Sequence, residues 1–320
     1  MSFNKTLLKQ LFPMYSPQAH IPVLIKGLTN QNLLFDIDGR KVLYKILNQD
    51  FSQFIDRKHE RDIMYKVPKH PKIYYADDAT IVREFLDVHE PLSVDRFNAG
   101  VIDRFAKELY GLHNTPCDTK RGKIQDIMAS PDFFKETREF LRKHSGLVAH
   151  ADMELYLAIL DRFESDRSTF NDILRNDKDR VVNCHNDLNM ENIMLDEQTD
   201  ELVLIDYDYA QPNVLYYDFG NLFTEMNFEY TKEPPFFEYK PDNNAMKLKK
   251  QMIIDCYAEQ AGLPNVDAFM KKCEQYKIFS HLFWINVSFK SLHLGIDLAI
   301  PEYVRKRFEL YNNEFEEHFI

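Results

Sequence analysis

Two carboxylates and one amide carry the chemical potential of this chain. Asp187 stands in His185-Asn186-Asp187, Asn192 follows after four intervening residues, and Asp206 closes the apolar run 202–205. A metal-bound triphosphate needs hard oxygen ligands, because Mg²⁺ keeps near-octahedral oxygen coordination. Asn192 and Asp206 supply such oxygens. An attacking hydroxyl needs a carboxylate to orient it and take its proton, and Asp187 fits that part. An Asp, an Asn several residues on and then a second Asp is the order used in phosphoryl transfer. The bland alternative is a polar hairpin whose Asp and Asn only cap turns; a strand ending on Asp206 at the right distance speaks against it.

Certain elements must position these groups. Val181-Val182 opens a short strand, 192–195 reads as a second, 196–200 as a polar turn and 202–205 as the return strand of a hairpin. That hairpin places Asp187, Asn192 and Asp206 at one end. Upstream, Leu7, Leu8, Leu11 and Phe12 mark an amphipathic helix within residues 1–20, stopped by Pro13 and Pro17. Asp38-Gly39, between 33–37 and 41–47, predicts a hairpin. Gly27, Thr29 and Asn30 form a turn where Gly27 lets backbone approach phosphates and the polar pair can donate to them. On its own such a turn is ordinary.

Lys45 follows on a strand, where a cation can meet the α- and β-phosphates. A helix is expected over 53–65, with Glu60 as the partner of Lys45. A strand pair is read at 72–75 and 80–86. The remainder is chiefly helical, with helices over 94–113, 132–144, 152–167, 244–259 and 278–294, and a loop at Pro234-Pro235-Phe236-Phe237. His185 is read as bonding backbone, and His113 and His281 as core histidines rather than metal ligands.

Bulk properties narrow the classes. With 320 residues the chain can hold two lobes or one large domain. A net charge of −11 argues against a nucleic-acid partner, which rewards Lys/Arg clusters. Cys117, Cys184, Cys256 and Cys273 lack C-x-x-C spacing, which fits reduced thiols in a cytoplasmic protein better than disulfides or zinc. The N-terminal MSFNKTLLKQLF has no long apolar core, so a signal peptide is not expected. Nothing approaches the roughly 18 apolar residues of a membrane span.

The blocks CHNDLNMENIML, LIDYDYA and YYDFGNLFTE resemble the signatures of the choline/ethanolamine kinase family, relatives of the aminoglycoside phosphotransferases. Weaker blocks extend the resemblance from about Lys26 to Phe315. It implies an α+β, bilobal, protein-kinase-like fold: a small antiparallel β lobe with one helix at 1–87 and a larger helical lobe with a catalytic hairpin at 88–320. It also implies transfer of the ATP γ-phosphate to an alcohol, with Mg²⁺ on Asn192 and Asp206. The turn at Gly27, Thr29 and Asn30 becomes a phosphate loop, and Glu84 and Leu86 become the linker that meets the adenine edge.

The resemblance places the alcohol beside Asp187, Asn189, Glu225, Tyr230, Trp284 and Tyr303, and gives Asp218 the task of bracing the catalytic loop. A quaternary ammonium is held by aromatic faces and carboxylates. NMENIM and YTKEPPFF resemble the choline branch, which implies phosphatidylcholine biosynthesis. The chain departs from the family at Asp208 (usually Glu), at Val287 (commonly a second tryptophan) and at Leu298 (an aromatic). The last two thin the cage and leave ethanolamine open. An aminoglycoside or other small-molecule kinase and a non-catalytic nucleotide-binding module are the rival readings. A homodimer is allowed by the sequence and not read from it.

Overall fold

The structure is a computed structural model and describes residues 3–25, 30–50, 53–117, 122, 124, 130–294 and 301–320. Gly27, Thr29 and Leu298 lie outside these residues. The chain opens with α1 (Lys5–Leu11), capped by the Asn4 side chain, which accepts from the Leu7 N–H. There follow β1 (Val23–Ile25), β2 (Gln31–Ile37), β3 (Arg40–Ile46), α2 (Arg57–Met64), β4 (Ile73–Ala76) and β5 (Thr80–Glu84). The five strands make one antiparallel sheet in the order β1-β2-β3-β5-β4. Asp38 and Gly39 take φ of 53° and 79°. Two positive-φ residues twist with the flanking strands, so the expected hairpin forms as β2–β3.

Alternation gives the sheet two uses. Leu33, Phe35, Val42, Tyr44 and Val82 bury one face against Leu8, Phe12 and Tyr15. Lys45, Ile81 and Arg83, one position out of phase, line a cleft on the other face. The helix α2 is shorter than expected. It begins only after Asp56, whose carboxylate accepts from the His59 N–H and so ends the preceding turn as a cap.

After the sheet come β6 (Glu90–Pro91), α3 (Ala99–His113), α4 (Pro131–Lys143), α5 (His150–Asn176), β7 (Val181–Cys184), β8 (Ile193–Asp196), β9 (Glu201–Leu204) and β10 (Gln211–Val214). Then follow α6 (Tyr216–Glu225), β11 (Phe228–Tyr230), β12 (Phe237–Tyr239), α7 (Asn244–Ala261), α8 (Val266–Gln275), α9 (Lys277–Ser291) and α10 (Pro301–Phe319). The β8–β9 pairing is the expected catalytic hairpin, extended by β6 on its other side. The strand β7 pairs instead with β10, an element not expected from a stretch containing Pro212. The short β11–β12 hairpin and α8 are likewise additions. Every residue of α6 is buried, and every residue of α9 but Lys277, as befits helices apolar on nearly all sides. They pack so closely that a Cβ on Gly220 would lie 2.7 Å from the Tyr276 carbonyl carbon. Among the described residues no helix is long and apolar enough to cross a membrane.

Candidate active site

The loop after β7 is pinned from several sides. Asp218, in the first turn of α6, accepts from the His185 and Asn186 amides at 2.8 and 2.7 Å. His185 Nε2 donates to the Ile205 carbonyl at 2.9 Å, and burial lowers its pKa, so the ring is a neutral brace. Asn186, at φ 63°, donates to the Tyr209 and Gln211 carbonyls at 2.9 and 3.1 Å. His113, Cys184 and Asp218 converge within 4.8 Å, a spacing a metal could use. The Asp218 oxygens are already engaged by the two amides and by His113 Nε2 at 2.9 Å, and Tyr257 bonds the other His113 nitrogen at 2.8 Å. The group holds the loop in place.

Asp187 emerges from this loop between two amides. Asn189 Nδ2 donates to one carboxylate oxygen and Asn192 Nδ2 to the other, each at 3.1 Å. Asn189 also caps the turn 190–192, accepting from the Glu191 and Asn192 amides at 2.9 and 3.1 Å. The Asn192 carbonyl takes the Ile205 N–H at 3.0 Å, which draws the end of β9 alongside. Burial, then the nearby Asp206 and Glu225 carboxylates, push Asp187 well above the usual carboxylate range. Asp187, Asn192 and Asp206 therefore occupy one end of the β8–β9 hairpin.

Asp206 sits in the left-handed region, at φ 64° and ψ 61°. Such strain in a non-glycine persists only where the surroundings over-determine it. Its side chain is 41% exposed and Lys45 Nζ donates to it at 2.6 Å. One Asp206 oxygen and the Asn192 amide oxygen, which no donor among the described residues takes, make a hard-oxygen pair suited to a divalent cation.

The partner expected for Lys45 is different. Its second carboxylate is Asp208, at 2.5 Å, while Glu60 is gripped by Arg57 at 2.8 Å and bonds Asp208. The turn at residues 207–209 carries Asp208 against α2, so the shorter side chain still reaches Lys45, Arg57 and Asn30. Burial and the Asp208 charge push Glu60 up, and Lys45 and Arg57 hold Asp208 down against its own burial. Glu60 is therefore held to Asp208 and Arg57 rather than to Lys45. Asn30, expected to donate to phosphates, spends its side chain on Asp208, the Asn48 amide and Arg57.

Glu84 and Leu86 line a cavity of about 520 Å³ with Phe85, Asp87, Pro68 and Val203. A smaller one of about 30 Å³ adjoins it at His70 and Pro71, lined by Lys45, Arg83, Asp206 and Tyr207. The expected alcohol residues fall into two linked groups. Tyr230 Oη donates to Glu225 at 2.8 Å, and Glu225 is also ion-paired with the fully buried Arg307. The Arg307 guanidinium lies 4.6 Å from the Phe228 ring centre and 5.0 Å from that of Tyr303. Glu225 is therefore not a spare counter-charge for an incoming cation. Trp284 donates to Asn221 at 2.9 Å and stands edge-on to Tyr209 and Phe283. Asn221 in turn donates to the Leu188 carbonyl at 3.0 Å, tying Trp284 to the catalytic loop, and Ser280 joins it to Arg307.

Arg57 and Arg307 are absent from the sequence reading, and Arg83 and Asn221 stand there only within the linker and the YYDFGNLFTE block, without a task of their own. Arg307 lies one helical turn beyond Tyr303, and an arginine on that buried stripe was the available signal.

The sheet with a buried lysine, set over Asp187, Asn192 and Asp206, has the arrangement of a phosphotransferase of the protein-kinase-like fold. The chain belongs to the choline/ethanolamine kinase family, whose profile matches residues 21–312. It is accordingly an ATP-dependent enzyme with an alcohol acceptor. It is 27% identical over 294 residues to the probable choline kinase 2 of Arabidopsis thaliana, covering 85% of this chain and 77% of that protein. A choline kinase from Cryptosporidium parvum shares the fold with a TM-score of 0.74 at 20% identity, over 98% of this chain and 94% of that one. A Plasmodium vivax ethanolamine kinase does so at 0.69 and 19% identity, over 92% and 84%.

Proposed function

We propose that this protein is a choline kinase, transferring the γ-phosphate of ATP to the choline hydroxyl to give phosphocholine. The observation that carries the reading is Asp187, held between Asn189 and Asn192 beside Asp206. Asp187 orients the hydroxyl and accepts its proton. Lys45 meets the phosphates, and Glu84 and Leu86 present backbone to the base. Asn192 and Asp206 are the residues that would hold Mg²⁺, which when bound neutralises the charge on the transferring phosphoryl group.

Choline is favoured over ethanolamine because the one carboxylate of the aromatic group is already bound by Arg307 and Tyr230. A primary ammonium seeks such an acceptor, whereas a trimethylammonium is satisfied by the ring faces of Tyr230, Tyr303 and Trp284. Val287 is the feature on the side of ethanolamine. Measuring kcat/KM for the two alcohols side by side decides: choline is expected to lead, and a lead for ethanolamine reverses the assignment. Failure of both would point to another alcohol.

A further inference from the structure

One cation of the cleft has no task in the reaction described. Arg83 stands opposite Leu43 of β3 on the cleft face of β5, half-buried, and lines the small cavity with Lys45 and Asp206. Among the described residues no carboxylate lies within ion-pair distance of its guanidinium. Its Nη1 donates instead to the Glu84 carbonyl at 3.0 Å. Two residues on, the Leu86 N–H has no carbonyl partner among the described residues. A cation thus closes the inner end of the same stretch of backbone that is proposed to meet the base.

We infer that Arg83 reads position 6 of the purine and admits 6-oxo purine nucleotides as phosphoryl donors. The inference rests on the proposal that a purine lies against residues 84–86. A base that places N1 at the Leu86 amide and its 6-substituent at the Glu84 carbonyl turns N7 and position 6 toward Arg83. The arginine fork fits two adjacent acceptors, and O6 with N7 is such a pair. A 6-amino purine offers N7 alone and sets its own N–H donors against those of the guanidinium. A 6-oxo base displaced by one atom along the backbone has its N1–H to give to that carbonyl.

The test compares ITP with ATP, which differ chiefly at position 6. With full-length protein, Mg²⁺ and the preferred alcohol, kcat/KM for ITP is expected within about tenfold of that for ATP. Arg83→Met is expected to lower the ITP/ATP ratio about tenfold or more, the discrimination of one good bidentate contact. Arg83→Gln serves the same comparison should the methionine variant fail to fold. Calorimetric binding of IDP against ADP gives the readout independent of turnover. A wild-type preference for ATP above a hundredfold, an unchanged ratio in the variants, or an equal loss with both nucleotides overturns the inference; the equal loss would make Arg83 a phosphate contact. If neither diphosphate binds the wild-type protein, the nucleotide reading of the cleft falls, and this one with it. Binding of both with an unaltered ratio sinks the role of Arg83 alone.

Discussion

Burial and the nearby Asp206 and Glu225 charges oppose the ionisation of Asp187, and two amide donors, Asn189 and Asn192, favour it. A raised pKa keeps Asp187, the proposed base, protonated to a higher pH than an ordinary aspartate. The acidic limb of kcat/KM should therefore lie well above the ordinary value near 3.8, with turnover rising as pH rises through it. A limb at or below that value would show that the Asp187 charge is not penalised. The stability sign is opposite. The unfolded chain ionises first, so this residue's contribution is intact below the ordinary pKa and is lost as pH rises through the raised one. Asp187→Asn, which keeps the shape and removes the base, should lower kcat about 10²–10⁴-fold. A variant turning over at the wild-type rate would remove Asp187 from the mechanism.

At the scale of elements, α6 does the positioning: Asp218 fixes the catalytic loop, Asn221 links it to Trp284, and Glu225 reaches Arg307. The helix can serve three sites because Gly220 lets it lie directly on the start of α9. Adding a methyl there puts Cβ 2.7 and 2.9 Å from Tyr276 and Lys277 backbone, where nothing can rotate away. Gly220→Ala should cost about 1–3 kcal/mol, read as a shift in the urea midpoint at constant slope. No shift would mean that the helices separate freely. The β2–β3 and β8–β9 hairpins were legible because turn chemistry and alternation agree there. By contrast, β10 was hidden by Pro212, which only its single-partner pairing tolerates. The Glu60 pairing was misread because Asp208 is distant in sequence, and no local pattern reports that it draws both Lys45 and Arg57. For Arg307 the buried stripe was a signal, but its partner Glu225 lies 82 residues away and no local pattern marks that pairing.

Across the whole molecule, the sheet and the helical region are joined through a charge cluster. Lys45 from β3, Arg57 and Glu60 from α2, and Asn30 all close on Asp208, and Lys45 alone also reaches Asp206. Lys45→Met removes the shared cation and leaves buried Asp208 short of a partner, so it should both lower thermal stability and raise KM for ATP at least about tenfold. KM for the alcohol should move much less. An effect confined to the alcohol would detach Lys45 from the nucleotide.

The arginine that Phe228 and Tyr303 flank is a permanent resident of the aromatic group. The two rings also touch each other, with centres 5.9 Å apart, so the cation and both rings stand as one packed cluster. On the proposed reading, such a pre-packed cluster lets the affinity for the alcohol be set by its spacing rather than by the work of assembling it.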